Sequence, residues 1–210
     1  MIRVLLVDDH AVVRSGFRLL LETASDVRVI AEAHSGETCI AQFDATAPDV
    51  VVLDLSMPGM GGLEALKRLC ARDAKVRVLA LSAHDDSMHA RRALHQGALG
   101  FLSKRTAPET LLAGVRAVAS GTRYIDPALA ADITPADLEN GTSPLDRLSE
   151  REFEVFIRLA RGAAVQKIAT ELKLSASTVG THLYNIKLKL GATNQAELTL
   201  IALRAGLIEA

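Results

Sequence analysis

Ile2-Arg-Val-Leu-Leu-Val-Asp8-Asp9 decides how the first half of the chain is read. The run Ile2–Val7 is almost wholly Ile, Val and Leu, too short for a helix, and ends abruptly in two acids. That is the texture of a strand buried on both faces. It returns in Val27–Glu32, Val50–Leu53, Val76–Leu81 and Gly100–Leu102. Amphipathic stretches separate these runs, at about Ala11–Thr23, Gly36–Asp44, Gly61–Arg72, Ser87–Gln96 and Pro108–Ala119. The last carries a helix-start signature, Thr106 three residues before Glu109 with Pro108 in the first turn. Strands alternating with helices require right-handed crossovers, hence a parallel sheet with helices on both faces. The expectation is an α/β, doubly wound, parallel five-stranded sheet of order 2-1-3-4-5 over residues 1–120.

The chain has 210 residues, 49% of them hydrophobic and 23% charged, which excludes wholesale disorder and leaves room for two small domains. The net charge of −1 hides an asymmetry. Residues 1–147 carry 16 Lys/Arg against 19 Asp/Glu, and residues 148–210 carry 8 against 6. Between Val155 and Ala196, six basic residues face Glu171 alone. An acidic block followed by a basic one implies two domains with different partners. Cys39 and Cys70 have no metal-ligand neighbours and read as reduced thiols. No secretory segment and no apolar run near the roughly 20 residues of a membrane span is present. The expected location is cytoplasmic, with no membrane partner.

Residues 121–147, rich in Pro, Gly and acids without a sustained period, read as a linker holding one short helical turn near Pro127–Asp132. Residues 148–210 then read as a small all-α domain of four helices. Ser149 with Glu152 forms a capping box opening a helix to Arg161. The others run at about Val165–Leu172, Ala176–Leu190 and Gln195–Ala205, the third with the apolar stripe Val179, Leu183, Ile186 and Leu190.

Polar residues interrupt the apolar strands only at their C-terminal ends: Asp8 and Asp9, Asp54, Ser82 and Lys104. In an open α/β sheet, ligands bind outside those ends. Three converging carboxylates repel one another unless a hard cation neutralises them, and all-oxygen ligation suits Mg²⁺. A lysine and a hydroxyl opposite such a site suit a phosphoryl group, with Asp54 as nucleophile. A purely structural account has Asp8 and Asp9 merely capping the following helix. It explains neither the other three residues nor the loop Met57-Pro-Gly-Met-Gly-Gly62 after Asp54.

At these residues the sequence resembles the receiver domain of two-component response regulators, which implies a flavodoxin-like fold. The resemblance implies Asp54 as phosphoacceptor, with Asp8, Asp9 and the backbone carbonyl of Ser56 joining it around Mg²⁺. It further implies Lys104 on the phosphoryl oxygens, Ser82 as the hydroxyl that moves toward them, and Phe101 at the switch-aromatic position. His10 beside the acid pair reads as a solvated or capping residue, and His84, His89 and His95 are expected on or near the output face, made by Ser87–Gln96, the last strand and Pro108–Ala119.

In the basic block, two helices joined by the tight turn Lys173-Leu-Ser175 make a helix-turn-helix, whose second helix enters a major groove. Its outward residues are Ser177, Gly180, Thr181 and Tyr184, with Thr178, Asn185 and Leu188 alongside. Lys187, Lys189, Lys167 and Lys173 are expected to meet phosphates. The bland reading is an amphipathic bundle with a solvated basic face. Leu148-Ser-Glu-Arg-Glu-Phe-Glu-Val155, Ile168-Ala-Thr-Glu-Leu172 and Leu174-Ser-Ala-Ser-Thr-Val-Gly-Thr-His-Leu-Tyr-Asn-Ile186 resemble the LuxR-type DNA-binding domain. Joined to a receiver, this resembles the NarL/FixJ branch. Gly180 and Gln195 depart from that family, where basic residues are frequent at both positions.

The combined expectation is a phosphorylation-activated transcriptional regulator and not an enzyme beyond its own phosphoryl transfer and hydrolysis. A sensor histidine kinase phosphorylates Asp54, and the protein binds double-stranded promoter DNA as a homodimer through the helix at Gln195–Ala205. RNA polymerase is a further partner the reading leaves open. The rivals are a phosphorylation-independent regulator or adaptor and an aspartyl-phosphate hydrolase. The hydrolase would want an acid where Ser56 stands.

Overall fold

The computed structural model describes residues 1–83, 87–105, 108–133 and 144–208. The chain forms two compact units, Met1–Gly141 and Thr142–Ala210. Thr106 and His84 lie outside the described residues. No helix among the described residues is long and apolar enough to cross a membrane.

The first unit runs β1 (Ile2–Val7), α1 (Ala11–Leu21), β2 (Val27–Ala33), α2 (Gly36–Thr46), β3 (Val50–Asp54), α3 (Gly62–Arg72), β4 (Val78–Ser82), α4 (Ser87–His95), β5 (Gly100–Ser103), α5 (Pro108–Ala119) and β6 (Tyr124–Ile125). The sheet order is β2-β1-β3-β4-β5-β6, with every neighbouring pair parallel. Alternation along each strand feeds two cores. Leu5, Val7, Val51, Leu53 and Ala80 bury against residues of α2, α3 and α4, whereas Val4, Leu6, Val50, Val52 and Leu79 bury against residues of α1 and α5.

The expected order of five strands holds, and a sixth is added. Gly100 pairs with Tyr124 and Phe101 with Ile125. A two-residue strand has no period to detect, so a stretch read as linker contributes the sheet edge. The short helical turn expected near Pro127–Asp132 is a 3-10 turn at Ala130–Asp132. Cys39 is buried and Cys70 half-buried, both as free thiols.

The loop after β3 turns sharply through Gly59 and Gly61, with φ of +75° and +74°, values only glycine takes without strain. Gly62 then opens α3 so close to the strand that a Cβ there would collide with the Asp54 carbonyl and the Leu55 Cα.

The second unit comprises a 3-10 turn (Pro144–Arg147), α6 (Glu150–Ala160), α7 (Val165–Glu171), α8 (Ala176–Leu190) and α9 (Gln195–Arg204). The expected capping box opens α6: Ser149 Oγ accepts from the Glu152 N–H, and the Ser149 N–H donates to Glu152 Oε2. The same carboxylate oxygen receives Lys189 Nζ at 2.5 Å, tying the start of α6 to the last turn of α8. At the other end of α6, Gln195 Nε2 donates to the Leu159 carbonyl and Thr199 Oγ1 to that of Ala160. Both lie in the last turn of α6, where carbonyls lack the next helical N–H; Gln195 adds to the bond Leu159 takes from the Gly162 N–H, so the glutamine at this position has a structural task. Phe153 and Phe156, with ring centroids 6.2 Å apart, anchor the core with Ile168, Val179, Ile186, Leu198 and Ala202.

Two outcomes follow. Gly62→Ala forces backbone apart and should cost about 2–3 kcal/mol, read from the urea midpoint of the full chain. The Glu152 carboxyl is buried, which alone would raise its pKa, but Lys189 and the Ser149 N–H hold it below the ordinary 4.5. Its stabilising contribution is therefore present above 4.5 and lost as pH falls through the lowered folded value. Lys189→Met should cost about 1–2 kcal/mol at neutral pH. That difference from wild type should shrink on acidification.

Candidate functional site

Because every strand of the first unit is parallel, β1, β3, β4 and β5 deliver their last residues to one edge of the sheet. Asp8 follows β1, Asp54 ends β3 and Ser82 ends β4, and all three are fully buried. Lys104 follows β5, its side chain 15% exposed. Its Nζ lies 2.7 Å from Asp8 Oδ2 and 2.7 Å from Asp54 Oδ2. Neither oxygen meets a donor in hydrogen-bond alignment, so the ammonium satisfies them as a close charge. The remaining oxygens take backbone donors: Asp8 Oδ1 accepts from the His10 N–H at 2.8 Å and Asp54 Oδ1 from the Ser56 N–H at 2.9 Å.

Burial is the strongest influence on Asp54 and pushes its carboxyl above the ordinary value, against the pull of Lys104 and the Ser56 N–H. For Lys104, burial acts to lower the pKa, but Asp54 and Asp8 together outweigh it and hold the ammonium above its ordinary value. Lys104 therefore stays charged at neutral pH, facing more acid than it can neutralise.

Asp8, Asp9, His10 and Asp54 each offer a ligand atom within 4.8 Å of the others. A carboxylate-dominated, partly unbonded donor set beside bulk solvent fits a hard divalent cation. His10 takes no side-chain capping role; its Nδ1 lies 2.9 Å from Asp9 Oδ1. Phe101 is fully buried in the core. His89 is buried, not displayed on a face.

Arg14 was not singled out from sequence, where it is one basic residue on an amphipathic helix. Its Nη1 donates to the Asp8 carbonyl at 2.6 Å and its Nε to Glu32 Oε2 at 2.9 Å, holding the end of β1 in place.

In the second unit, Ser175 caps α8 by accepting from the Thr178 N–H, and Val179 and Ile186 turn inward. Ser177, Thr178, Gly180, Thr181, Tyr184 and Leu188 are exposed, and Asn185 is half-buried. Tyr184 and Leu188 are 68% and 72% exposed, large apolar groups the unit leaves in solvent. The Thr181 hydroxyl bonds back to the Ser177 carbonyl. A Cβ at Gly180 would meet nothing within 4 Å. The lysines divide. Lys167 is exposed and only loosely paired with Glu171 at 3.9 Å, and Lys173 is exposed in the turn. Lys187 donates to the Thr193 carbonyl, and Lys189 donates to Glu152 Oε2.

Comparison with known proteins matches residues 4–116 to the response regulator receiver domain and residues 146–202 to the bacterial regulatory proteins of the luxR family. The chain is 39% identical to the response regulator UvrY of Escherichia coli O6:H1, covering 100% of this chain and 97% of that protein. It is 36% identical to the response regulator GacA of Pseudomonas aeruginosa, covering 100% and 99%. Among solved structures, RcsB of Salmonella enterica serovar Typhimurium bound to promoter rprA with phosphomimetic BeF3− is 26% identical, with TM-score 0.59 over 96% of this chain and 98% of that one. RcsB is also seen as two dimers on two parallel DNAs, 25% identical, with TM-score 0.59 and 99% coverage of both chains. A receiver followed by a LuxR-type helix-turn-helix, matched along the whole chain, makes this protein a response regulator of the NarL/FixJ family, a phosphorylation-dependent regulator of transcription.

Proposed function

We propose that Asp54 accepts the phosphoryl group from the phosphohistidine of a sensor kinase. The observation that carries the reading is the Lys104 ammonium 2.7 Å from both Asp8 and Asp54 at the ends of neighbouring strands, leaving carboxylate charge in excess. Asp54 Oδ1 is engaged by the Ser56 N–H, so Oδ2, facing Lys104, is the attacking atom. Its lone pair forms the new O–P bond as the P–N bond to the donor imidazole breaks, leaving an acyl phosphate on Asp54. Asp8, Asp9, Asp54 and the Ser56 carbonyl would hold Mg²⁺, which when bound supplies positive charge against the phosphoryl oxygens. Lys104 turns from its two carboxylates toward those oxygens, and Ser82, on the adjacent strand end, supplies a hydroxyl. The same residues acting on a water return the protein to its resting state, which is the extent of its catalysis.

The output is binding of promoter DNA by α8. Thr181 and Tyr184 read base edges, flanked by Ser177, Thr178, Gly180 and Asn185, while Lys167 and Lys187 contact phosphates. A homodimer forms through α9, where Leu200 is half-exposed. RcsB, seen as dimers bound to DNA, supports a dimer on DNA. Contact with RNA polymerase at the promoter and a cytoplasmic location belong to the same reading.

Asp54→Asn should abolish acid-labile labelling by a small acyl phosphate donor, and undiminished labelling would move the acceptor elsewhere. Thr181→Ala and Tyr184→Ala should each weaken promoter binding by about tenfold to a hundredfold with unchanged circular dichroism. Footprints identical to wild type would displace the reading surface from this face of α8.

A further inference from the structure

Residues on β5 alternate in the direction of their backbone groups. Gly100, Leu102 and Lys104 face β4, and the Lys104 N–H donates to the Ser82 carbonyl at 2.7 Å. Phe101 and Ser103 face the other way, as does the Leu99 carbonyl, although the Leu99 N–H still donates to the Val78 carbonyl of β4 at 2.9 Å. There the Leu99 carbonyl accepts from the Tyr124 N–H at 3.1 Å and the Phe101 carbonyl from the Asp126 N–H at 2.8 Å. At that point β6 has ended, and the Ser103 N–H has no strand to meet. The Asp126 side chain takes the strand's place: Oδ2 accepts from the Ser103 N–H and Oδ1 from the Ala128 N–H, each at 3.0 Å. Ser103 and Asp126 are both 6% exposed, so the bond is shielded from water.

The backbone root of Lys104 is thus held from two sides, by the Ser82 carbonyl and, one residue earlier, by Asp126. Past Asp126 the chain folds over the same face of the sheet. Leu129 and Ile133 are buried in the cluster that contains Phe101, Ala90, Ala93 and Leu94, and Arg91 of α4 donates to the Asp132 carbonyl at 2.6 Å. Residues 124–133 form a strap fastened at one end behind Lys104 and at the other to α4, and the covalent chain continues from it to the second unit.

We propose that Asp126 is a positioning residue for the phosphoryl chemistry, setting the reach of the Lys104 ammonium, and that the strap 124–133 thereby responds to the state of the pocket. This rests on Asp54 as phosphoacceptor. A lysine ammonium sits at the end of a flexible four-carbon stem, so where its backbone is fixed decides which oxygens it meets. When the ammonium shifts from carboxylate to phosphoryl oxygens, the pull on its root falls on the Ser103–Asp126 bond. Asp126 is short, with both oxygens engaged, so the displacement passes to the 126–128 turn and to Leu129 and Ile133.

The test uses the full chain with beryllofluoride and Mg²⁺ as the phosphoryl mimic. In wild type, amide hydrogen exchange across 124–133 should change by about threefold or more on beryllofluoride addition. The same peptides in Asp54→Asn should not respond. Asp126→Ala should bind beryllofluoride about tenfold more weakly, while Mg²⁺ affinity, read from amide shifts, stays within about twofold. Asp126→Asn, which keeps an oxygen for the Ser103 N–H, should restore most of the loss. Parallel loss of both affinities, or undiminished beryllofluoride binding by Asp126→Ala, would overturn the positioning role. An Asn variant no better than Ala would do the same. A strap whose exchange ignores beryllofluoride in wild type would overturn the coupling, and that measurement needs no variant to fold. Beryllofluoride bound equally well by Asp54→Asn would instead defeat the phosphoacceptor reading itself.

Discussion

Two carboxylates and an ammonium meet out of water at the carboxyl edge of the sheet, and the first unit is arranged around that meeting. Removing one such ion from water costs several kcal/mol even after the protein relaxes, and mutual attraction offsets this only at close range. Asp8 and Asp54 are fully buried, and Lys104 lies against both as the close opposite charge that offsets this cost. The parallel topology makes the encounter obligatory. A parallel sheet sends the end of every strand to the same edge, whereas antiparallel pairing would have sent Asp8 and Asp54 to opposite ends. The sequence-distant groups converge because the crossovers α1 to α4 return the chain each time to the same starting edge.

What could be read from the residues, and what could not, follows from how far each signal extends along the chain. Runs rich in Val, Ile and Leu announced most of β1 to β5, and polar residues closing them announced the pocket, because each signal repeats over several residues or several strands. Tyr124 and Ile125 carry no such repetition; they are a strand only because β5 offers an open edge. Arg14 gave no sign of its bond to the Asp8 carbonyl, since the partner is backbone brought near by the β1–α1 turn. Charge and helical spacing show which way Lys189 leans but not that Glu152 waits there. Glu152 was legible as half of a capping box, yet not as the partner of a lysine 37 positions away. The loop glycines were visible as a motif, but only the closeness of α3 to β3 explains why Gly62 tolerates no side chain.

The second unit spends part of its positive charge on its own construction. With Lys189 on Glu152 and Lys187 on the Thr193 carbonyl, the exposed stripe of α8 is Ser177, Gly180, Thr181, Tyr184 and Leu188, polar and apolar groups without a formal charge. Non-specific attachment to DNA comes from neutralised phosphates, and discrimination from base edges. If α8 reads DNA as proposed, such a surface leans toward the second, and its affinity should depend on salt less steeply than that of a lysine-lined helix. Gly180 fits the same logic. In a helix interior glycine costs about 1 kcal/mol relative to alanine, and the open space around it offers no compensation inside the unit.

The pocket also limits how strong a switch it can be. Moving a two-state equilibrium from 1:99 to 99:1 takes about 5.5 kcal/mol of difference between the states. Lys104 does not start without partners: its two carboxylates already stabilise the resting arrangement, so only the excess of phosphoryl over carboxylate attraction drives the change. The same holds on the acid side, where burial already raises the carboxyl of Asp54 and a further negative group deepens the imbalance unless cationic charge enters with it. A device working on such differences gains from geometry more than from raw attraction. On the proposed reading, bonds that fix where the ammonium starts, at Ser82 on one side and at Ser103 on the other, govern the response as much as the charges themselves.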